Sequence, residues 1–222
     1  MLTGKYRPRV RVELRIRITR TKSSIVNRRN KAGVLDGHWA VAVPRATVEE
    51  ALEHPLLNRL VPTEAGYSLG AKNDARLKKQ GSPGVRLIYC CGGAGLSNAD
   101  GRITELQQGQ ILIIGANVPY VYEADPSGPW SIYWLQIAGT DVPYYSEKLG
   151  LTKSKRAVSF NVGKTVEFKF RALVGDLKRG STIFHLNNAA QTAAHLLGLI
   201  RHHKERLNVF RKACARPCLE QQ

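Results

Sequence analysis

The histidines are the first residues in this sequence that could do chemistry, as metal ligands or as proton carriers. The six histidines are His38, His54, His185, His195, His202 and His203. A catalytic metal in a small β-barrel needs imidazoles that project from the strands. None of the six lies between residues 82 and 150, the segment richest in strand patterns. A metal-dependent enzyme is therefore disfavoured, and no metal or other cofactor is implied.

Motifs for other reactions are also missing from the sequence. There is no Gly-x-Ser-x-Gly turn to present a nucleophilic serine and no Walker-type phosphate loop. The run Gly92–Gly95 follows a strand, but neither Lys-Ser/Thr nor a helical pattern comes after it, so we interpret it as a β-turn. Cys90 and Cys91 are adjacent and should point to opposite faces of a strand. Together with Cys214 and Cys218 they match no zinc spacing, and a reducing, cytoplasmic setting is expected.

Aromatic residues are concentrated in one 46-residue stretch of the chain. They are Tyr89, Tyr120, Tyr122, Trp130, Tyr133 and Trp134. A pocket for a small polar ligand uses such rings, because each offers a stacking surface and a polar group that orients the ligand. Tyrosine and tryptophan in strands also serve as ordinary core residues, so both interpretations stay open at this point.

Charge is distributed unevenly along the 222 residues, whose formal net charge is +17. Residues 1–31 carry eleven Lys or Arg residues and only Glu13 as an acid, whereas residues 82–150 carry three basic and six acidic residues. Attraction to nucleic acid would therefore come from the ends of the chain. No apolar run approaches the roughly 18 residues of a membrane span, so neither a membrane segment nor a secretory signal is expected.

The basic N-terminal segment allows two interpretations. Residues 9–18 alternate between polar and apolar, which as a strand gives one charged and one aliphatic face. Such an arm could add to a sheet or follow a nucleic acid backbone, and the alternative is an extension without structure. We expect residues 1–45 to form a poorly ordered basic extension.

The middle of the chain has the pattern of short antiparallel strands. Residues 85–91, 111–114, 120–122 and 130–137 are β-branched or aromatic runs bounded by Gly, Pro or polar turns. Asp100-Gly101 is a strong signal for a two-residue hairpin turn. With no segment of helical period among them, these runs predict an antiparallel barrel or sandwich.

The C-terminal third changes to a helical period. Apolar residues from Val166 to Leu177 recur three and four apart, and Gly180 ends the pattern. A second helix carries a stripe of alternating small and large apolar residues: Leu186, Ala189, Ala190, Ala193, Leu196, Leu197 and Ile200. Such a stripe suits a helix–helix seam in a dimer, or it packs on the barrel of its own chain.

Taken together, these residues resemble the N-terminal domain of AraC-type transcription regulators. The most specific part is the closing stretch, in which Pro129-Trp130 is followed by three residues, Trp134 and a short run that ends at Gly139. The resemblance covers roughly residues 55–205 and leaves out the basic arm. It implies an α+β fold, with an antiparallel cupin-like β-barrel followed by two antiparallel helices over residues 165–179 and 184–204. The expected domain is 46–205, with 206–222 as a linker or tail.

The resemblance also implies a function and partners. The barrel would bind a small-molecule effector, often a sugar, and the second helix would pair across a homodimer. Residues implied in dimerisation are Leu186, Ala190, Ala193, Leu197 and Ile200. The helix-turn-helix domain of the family, its only route to specific DNA, is not recognisable after residue 201, so we expect no specific DNA binding by this chain alone.

Ligand-binding residues follow from the same comparison. Tyr122 matches the tyrosine that ends the family's Pro-His-x-Tyr element, Trp134 matches its second tryptophan, and Arg86 and Tyr120 are further candidates. Tyr120 and Gln136 stand where the family commonly has histidine, and Gln108-Gly109-Gln110 replaces a Pro-Gly-Asp turn. The identity of the effector therefore does not transfer.

Two alternative functions remain from the sequence. A cupin-type enzyme such as a sugar isomerase would need a metal, which the distribution of histidines speaks against. A basic nucleic-acid-binding protein would depend on residues 1–31 and would lose binding when that arm is deleted.

Overall fold

The structure, a computed structural model, describes residues 37–71, 75–126, 128–151, 157–162 and 164–214. The basic segment 9–18 lies outside these residues. The elements are β1 His38–Ala42, α1 Arg45–Glu53, β2 Val61–Ala71, β3 Ala75–Lys78, β4 Val85–Gly92, β5 Ala94–Ala99, β6 Arg102–Gln107, β7 Gln110–Ile114, β8 Tyr120–Ala124, β9 Trp130–Ala138, α2 Val142–Leu149, β10 Ala157–Asn161, α3 Lys164–Arg179 and α4 Ile183–Cys214. This order confirms the α+β class, with antiparallel strands preceding the last two helices.

The strands form two antiparallel sheets. The larger sheet has the order β1-β2-β9-β4-β7-β10, and the smaller sheet has the order β3-β8-β5-β6. The predicted turn at Asp100-Gly101 joins β5 to β6, and both residues have positive φ angles, of 54° and 76°. These are the backbone angles that a two-residue hairpin turn of this type requires.

The larger sheet is covered on both faces, which explains why β4 and β9 read as almost continuous apolar runs. Residues such as Tyr133 and Leu135 face the helices and join one core cluster. Their neighbours on the strand, Ile132 and Trp134, face the smaller sheet and join a second cluster. The space between the two sheets, here called the inter-sheet interior, is where the aromatic residues of the second cluster meet.

Helix α4 packs its apolar stripe inside its own chain. All five residues that the resemblance assigned to dimerisation are at most 4 % exposed and belong to the core between the larger sheet and helices α3 and α4. A dimer contact on α4 would therefore use the opposite face. The helix also continues to Cys214, through residues expected to form a linker from 206 onwards. Neither Gly nor Pro occurs between Leu199 and Arg216 to end it earlier.

Strand β1 belongs to the larger sheet although it lies within the segment expected to be an extension. Its residues alternate between exposed and half-buried, and Trp39 pairs with Tyr67 of β2. The Lys178 ammonium lies 5.2 Å from the Trp39 ring centroid and donates a hydrogen bond of 2.9 Å to the Tyr67 hydroxyl. Aromatic packing and this cation thus connect β1 to the end of α3.

Candidate functional site

The inter-sheet interior brings together all four residues that the sequence singled out for ligand binding. Arg86 on β4 pairs in register with Gln136 on β9, and the next inward pair is Ile88 with Trp134. Tyr120 and Tyr122 project from β8 of the smaller sheet towards them. Because side chains alternate along a strand, every second residue points inward. These inward-facing residues of the two sheets meet where the sheets face each other.

Arg86 is the buried charge of this interior. Its side chain is 2 % exposed and forms an ion pair with Glu64, in which Nη1 lies 2.9 Å from Oε2 and Nη2 lies 3.3 Å from Oε1. Nη1 also donates to Oε1 of Gln136 at 3.4 Å. Burial opposes its charged form, but Tyr122 and Glu64 outweigh burial, so the pKa of Arg86 lies above its ordinary value.

Two tyrosines of β8 form the wall opposite Arg86. The rings of Tyr120 and Tyr122 are stacked, with centroids 6.0 Å apart and planes inclined by 10°. The Tyr120 hydroxyl lies 3.4 Å from Oγ of Ser82. Burial raises the pKa of Tyr122 and the charge of Arg86 lowers it, with a net rise. Tyr122 therefore keeps its phenolic proton and can act as a hydrogen-bond donor.

Trp134 lies between this interior and its rim. Its ring is fully buried, and a Cβ atom on Gly66 of the neighbouring strand would overlap it, so glycine is required there. Arg76 of β3 lies over the indole with its Cζ 5.2 Å from the ring centroid, and His38 of β1 lies 5.6 Å away from it, centroid to centroid. Arg76 Nη2 and His38 Nε2 are 3.1 Å apart, which joins the edges of the two sheets.

Sequence reasoning missed three residues of this arrangement: Glu64, Arg76 and His38. Glu64 reaches Arg86 because β2 pairs with β9, which sets Glu64 beside Gln136. Arg76 pairs in register with Tyr122 on β8. The local sequence signal for these residues is the alternation of side chains along short strands such as β1 and β3. That alternation does not specify which strands become neighbours in a sheet.

Four polar atoms of the interior are buried without a well-formed hydrogen bond to any described residue, although Arg86 lies close enough to the Tyr122 hydroxyl to act on its pKa. They are Arg86 Nε, the Tyr122 hydroxyl oxygen, Trp130 Nε1 and Trp134 Nε1. Leaving a buried donor unpaired costs about 1–3 kcal/mol, so such groups are rare in folded proteins. A cluster of them between two sheets indicates a site that a polar ligand can complete.

The interior is packed closely in this structure. Trp130, Trp134, Tyr122 and Arg86 are each at most 2 % exposed. A small depression of about 10 Å³, lined by Leu96, Ile103 and Val121, lies on the outer face of the smaller sheet and outside the inter-sheet interior. Because the side chains of the interior are almost fully buried, a ligand that enters it must displace side chains or an edge strand.

The adjacent cysteines occupy opposite faces of β4, as expected. Cys90 lies in the inter-sheet cluster, and Cys91 packs against the core beneath the helices. Burial raises the pKa of Cys90 to about 11 and that of Cys91 to about 12. Both are therefore thiols at neutral pH, and neither is an activated nucleophile.

The described residues contain neither a metal-binding cluster nor a membrane-spanning helix. In that part of the chain, no three His, Cys, Asp or Glu side chains come close enough together to hold a metal ion. The same residues include no helix with the length and apolar character needed to cross a membrane.

Comparison with known proteins gives one curated relative and several solved structures. The MmsAB operon regulatory protein of Pseudomonas aeruginosa is 30% identical over 112 residues, which are 49% of this chain and 36% of that regulator. The chain thus matches only about a third of the length of this relative. The structural match with the protein YhaK from Escherichia coli covers 58% of this chain and 53% of the YhaK chain, at 12% sequence identity and a TM-score of 0.42. The match with salicylate 1,2-dioxygenase from Pseudaminobacter salicylatoxidans covers 58% of this chain and 31% of the dioxygenase chain, at 16% sequence identity and a TM-score of 0.32.

A family model supplies the assignment. The model of the AraC-like ligand binding domain matches residues 61–201, which is more than half of the chain and includes both sheets' central strands and most of α4. The fold is cupin-like, as the resemblance implied, and the four predicted ligand residues all lie within the matched range. The chain belongs to the family of AraC-like ligand-binding domains.

Proposed function

We propose that this chain is the effector-sensing part of a transcriptional regulator and that its ligand binds in the inter-sheet interior. The observation that carries the proposal is the cluster of unpaired buried donors on Arg86, Tyr122, Trp130 and Trp134. A ligand that accepts hydrogen bonds from them recovers the free energy that their burial costs. Sensing a sugar is one form of this function, and the next subsection argues for a different chemical class.

Entry of the ligand would involve the two edge strands. Among the described strands, β1 pairs with β2 at one edge of the larger sheet, and β3 pairs with β8 at one edge of the smaller sheet. The contact between His38 and Arg76 links these two edges over Trp134. A ligand that binds better when this contact is open shifts the population towards the open state. Because Lys178 connects β1 to α3, such an opening would be transmitted to the helices.

The proposed function predicts that a small polar molecule stabilises the native protein. Thermal unfolding of the full chain should be followed with a panel of sugars, polyols and short carboxylic acids at millimolar concentration. A ligand at a hundredfold excess over its Kd adds about 2.7 kcal/mol, which shifts the Tm of a domain of this size by several degrees. If no compound in a broad panel raises the Tm, or if Tyr122→Phe and Trp134→Phe leave the shift unchanged, the site is not in the inter-sheet interior.

Dimerisation belongs to the same proposal, through the outer face of α4. Phe184 is 69 % exposed, and Gln191, His195, Gly198 and His202 are exposed on the same side of the helix. A Cβ atom on Gly198 would meet nothing within 4 Å, so a second helix can approach the backbone closely there.

Replacing Gly198 with glutamate should separate dimerisation from folding. The new side chain has free space in the single chain, and losing a helical glycine is worth roughly 0.5–1 kcal/mol of stability. We expect an unchanged or higher Tm together with loss of the dimer, measured by light scattering after gel filtration. A variant that stays dimeric would place the contact elsewhere, and Gly175→Glu on the neighbouring helix, also in open space, is the matched control.

The proposal assigns no catalytic step to this chain. It also places the protein in the cytoplasm, where a regulator meets its DNA. Specific DNA binding would require a helix-turn-helix domain, so a band-shift experiment with this chain should show at most weak, salt-sensitive binding. A site-specific complex at physiological salt would contradict this part of the proposal.

A further inference from the structure

We infer that the effector carries a carboxylate, which binds the Nε edge of Arg86 together with Tyr122 and Trp134. The inference rests on the proposed function, since it names the chemical class of ligand for the same interior. Two observations support it: the kind of polar atom left unpaired among the described residues, and the arrangement of partners around the Arg86 guanidinium.

The unpaired atoms of the interior are donors. Arg86 Nε and the indole Nε1 atoms of Trp130 and Trp134 can only donate, and Tyr122 retains its proton to donate as well. A ligand that satisfies them must supply acceptors. A sugar hydroxyl brings a donor with each acceptor and would need a protein acceptor in return. The carboxylate of Glu64 and the amide oxygen of Gln136 already accept from Arg86.

Arg86 has one edge paired with Glu64 and a second edge that is packed inside the protein. Glu64 contacts its two terminal nitrogens, Nη1 and Nη2, and the buried Nε donates no hydrogen bond to a described residue. A guanidinium is planar and can bind a second carboxylate along the edge that contains Nε. The ligand would thus bind beside Glu64 and on the same guanidinium.

Matched pairs of ligands test the inference directly. Lactate, 3-hydroxybutyrate and benzoate should each be compared with the corresponding amide, and with arabinose and glucose, by thermal shift and calorimetry of the full chain at fixed ionic strength. We expect at least one of the acids to bind and its amide to bind about tenfold weaker or worse, the loss of one charged hydrogen bond. Equal binding of acid and amide overturns the inference, and so does stabilisation by neutral sugars alone, which leaves the proposed function intact. If none of these compounds binds, both fail.

Substitutions in the interior give a second, independent readout. Tyr122→Phe and Trp134→Phe each remove one donor while keeping an aromatic ring, and each should weaken binding of the acid about tenfold. Tyr133→Phe is the matched control, because Tyr133 neighbours Trp134 on β9 but faces the helices. A loss of affinity in the control equal to that in the two variants contradicts a specific role for the donors.

Glu64→Gln decides the class of ligand by the sign of its effect. Removing this charge leaves Arg86 less neutralised, so an anionic ligand should bind more tightly, by a fewfold or more. A neutral polyhydroxy ligand would instead lose an acceptor and bind more weakly. Glu123→Gln, next to Tyr122 but on the outer face of β8, controls for the change in net charge. Weaker binding of the acid to Glu64→Gln overturns the inference.

Discussion

Replacing Arg86 with methionine is expected to lower the free energy of unfolding by about 3 kcal/mol. The guanidinium is 2 % exposed, and its partner Glu64 is 20 % exposed, so the substitution leaves a half-buried carboxylate without its counter-ion. Breaking a buried ion pair from one side costs roughly 3–5 kcal/mol, and the exposure of Glu64 places this pair near the lower end. Urea unfolding followed by circular dichroism measures the difference.

The double variant Arg86→Met/Glu64→Gln is the control for this prediction. It removes the second charge as well, and replacing both members of a buried pair often costs little. We therefore expect the double variant to recover most of the stability lost by Arg86→Met alone. If both variants are equally destabilised, the cost comes from lost packing around the guanidinium stem, and the ion pair contributes nothing specific.

Stability and sensing are connected through this one residue. A buried ion pair whose arginine Nε lacks a hydrogen bond to the described residues contributes little to stability, because hydrophobic residues of similar volume stabilise a core as well or better. Retaining a charge there is reasonable if the charge has a second role, and ligand binding is the role proposed above. The double variant should then remain folded but no longer respond to the ligand.

The elements that local patterns define could be predicted from the sequence. Strands β4, β7, β8 and β9 and the Asp100-Gly101 turn depend on neighbouring residues alone, and the structure confirms each of them. The aromatic residues of these strands, together with the resemblance, also led to the four residues that meet between the sheets. Such features are encoded within windows of a few residues, so they can be predicted without knowledge of the tertiary fold.

The rest depends on contacts between distant parts of the chain. The approach of Glu64 to Arg86 needs the β2–β9 pairing, in which Val61 lies opposite Ala138. The apolar stripe of α4 could not show whose core it joins, and the structure buries it against its own sheet. Strand β1 is short, and its place in the sheet depends on the contacts of Trp39 with Tyr67 and Lys178, which are distant in the sequence. No periodicity within one segment carries this information.

Replacing Phe170 with alanine is expected to have the largest effect on stability, a loss of about 4 kcal/mol. Phe170 is fully buried on α3, with its ring centroid 6.0 Å from that of Tyr89 and 6.0 Å from that of Tyr133. Truncation removes the apolar surface of the ring and leaves a cavity between the helices and the larger sheet. Phe168→Ala, two positions earlier and 70 % exposed, should change the free energy of unfolding by less than about 0.5 kcal/mol.

The same pair of variants tests whether the helices and the two sheets unfold together. Tyr133 contacts Phe170, and the next residue on β9, Trp134, faces the inter-sheet interior, so the helix contact and the site share one strand. Tryptophan fluorescence and circular dichroism at 222 nm should therefore report coincident urea transitions in Phe170→Ala, both shifted to lower concentration. Should fluorescence keep its original midpoint while helical signal is lost early, the inter-sheet interior is stable without the helices. Ligand binding would then not be transmitted strongly from the inter-sheet interior to α3 through the contact of Tyr133 with Phe170.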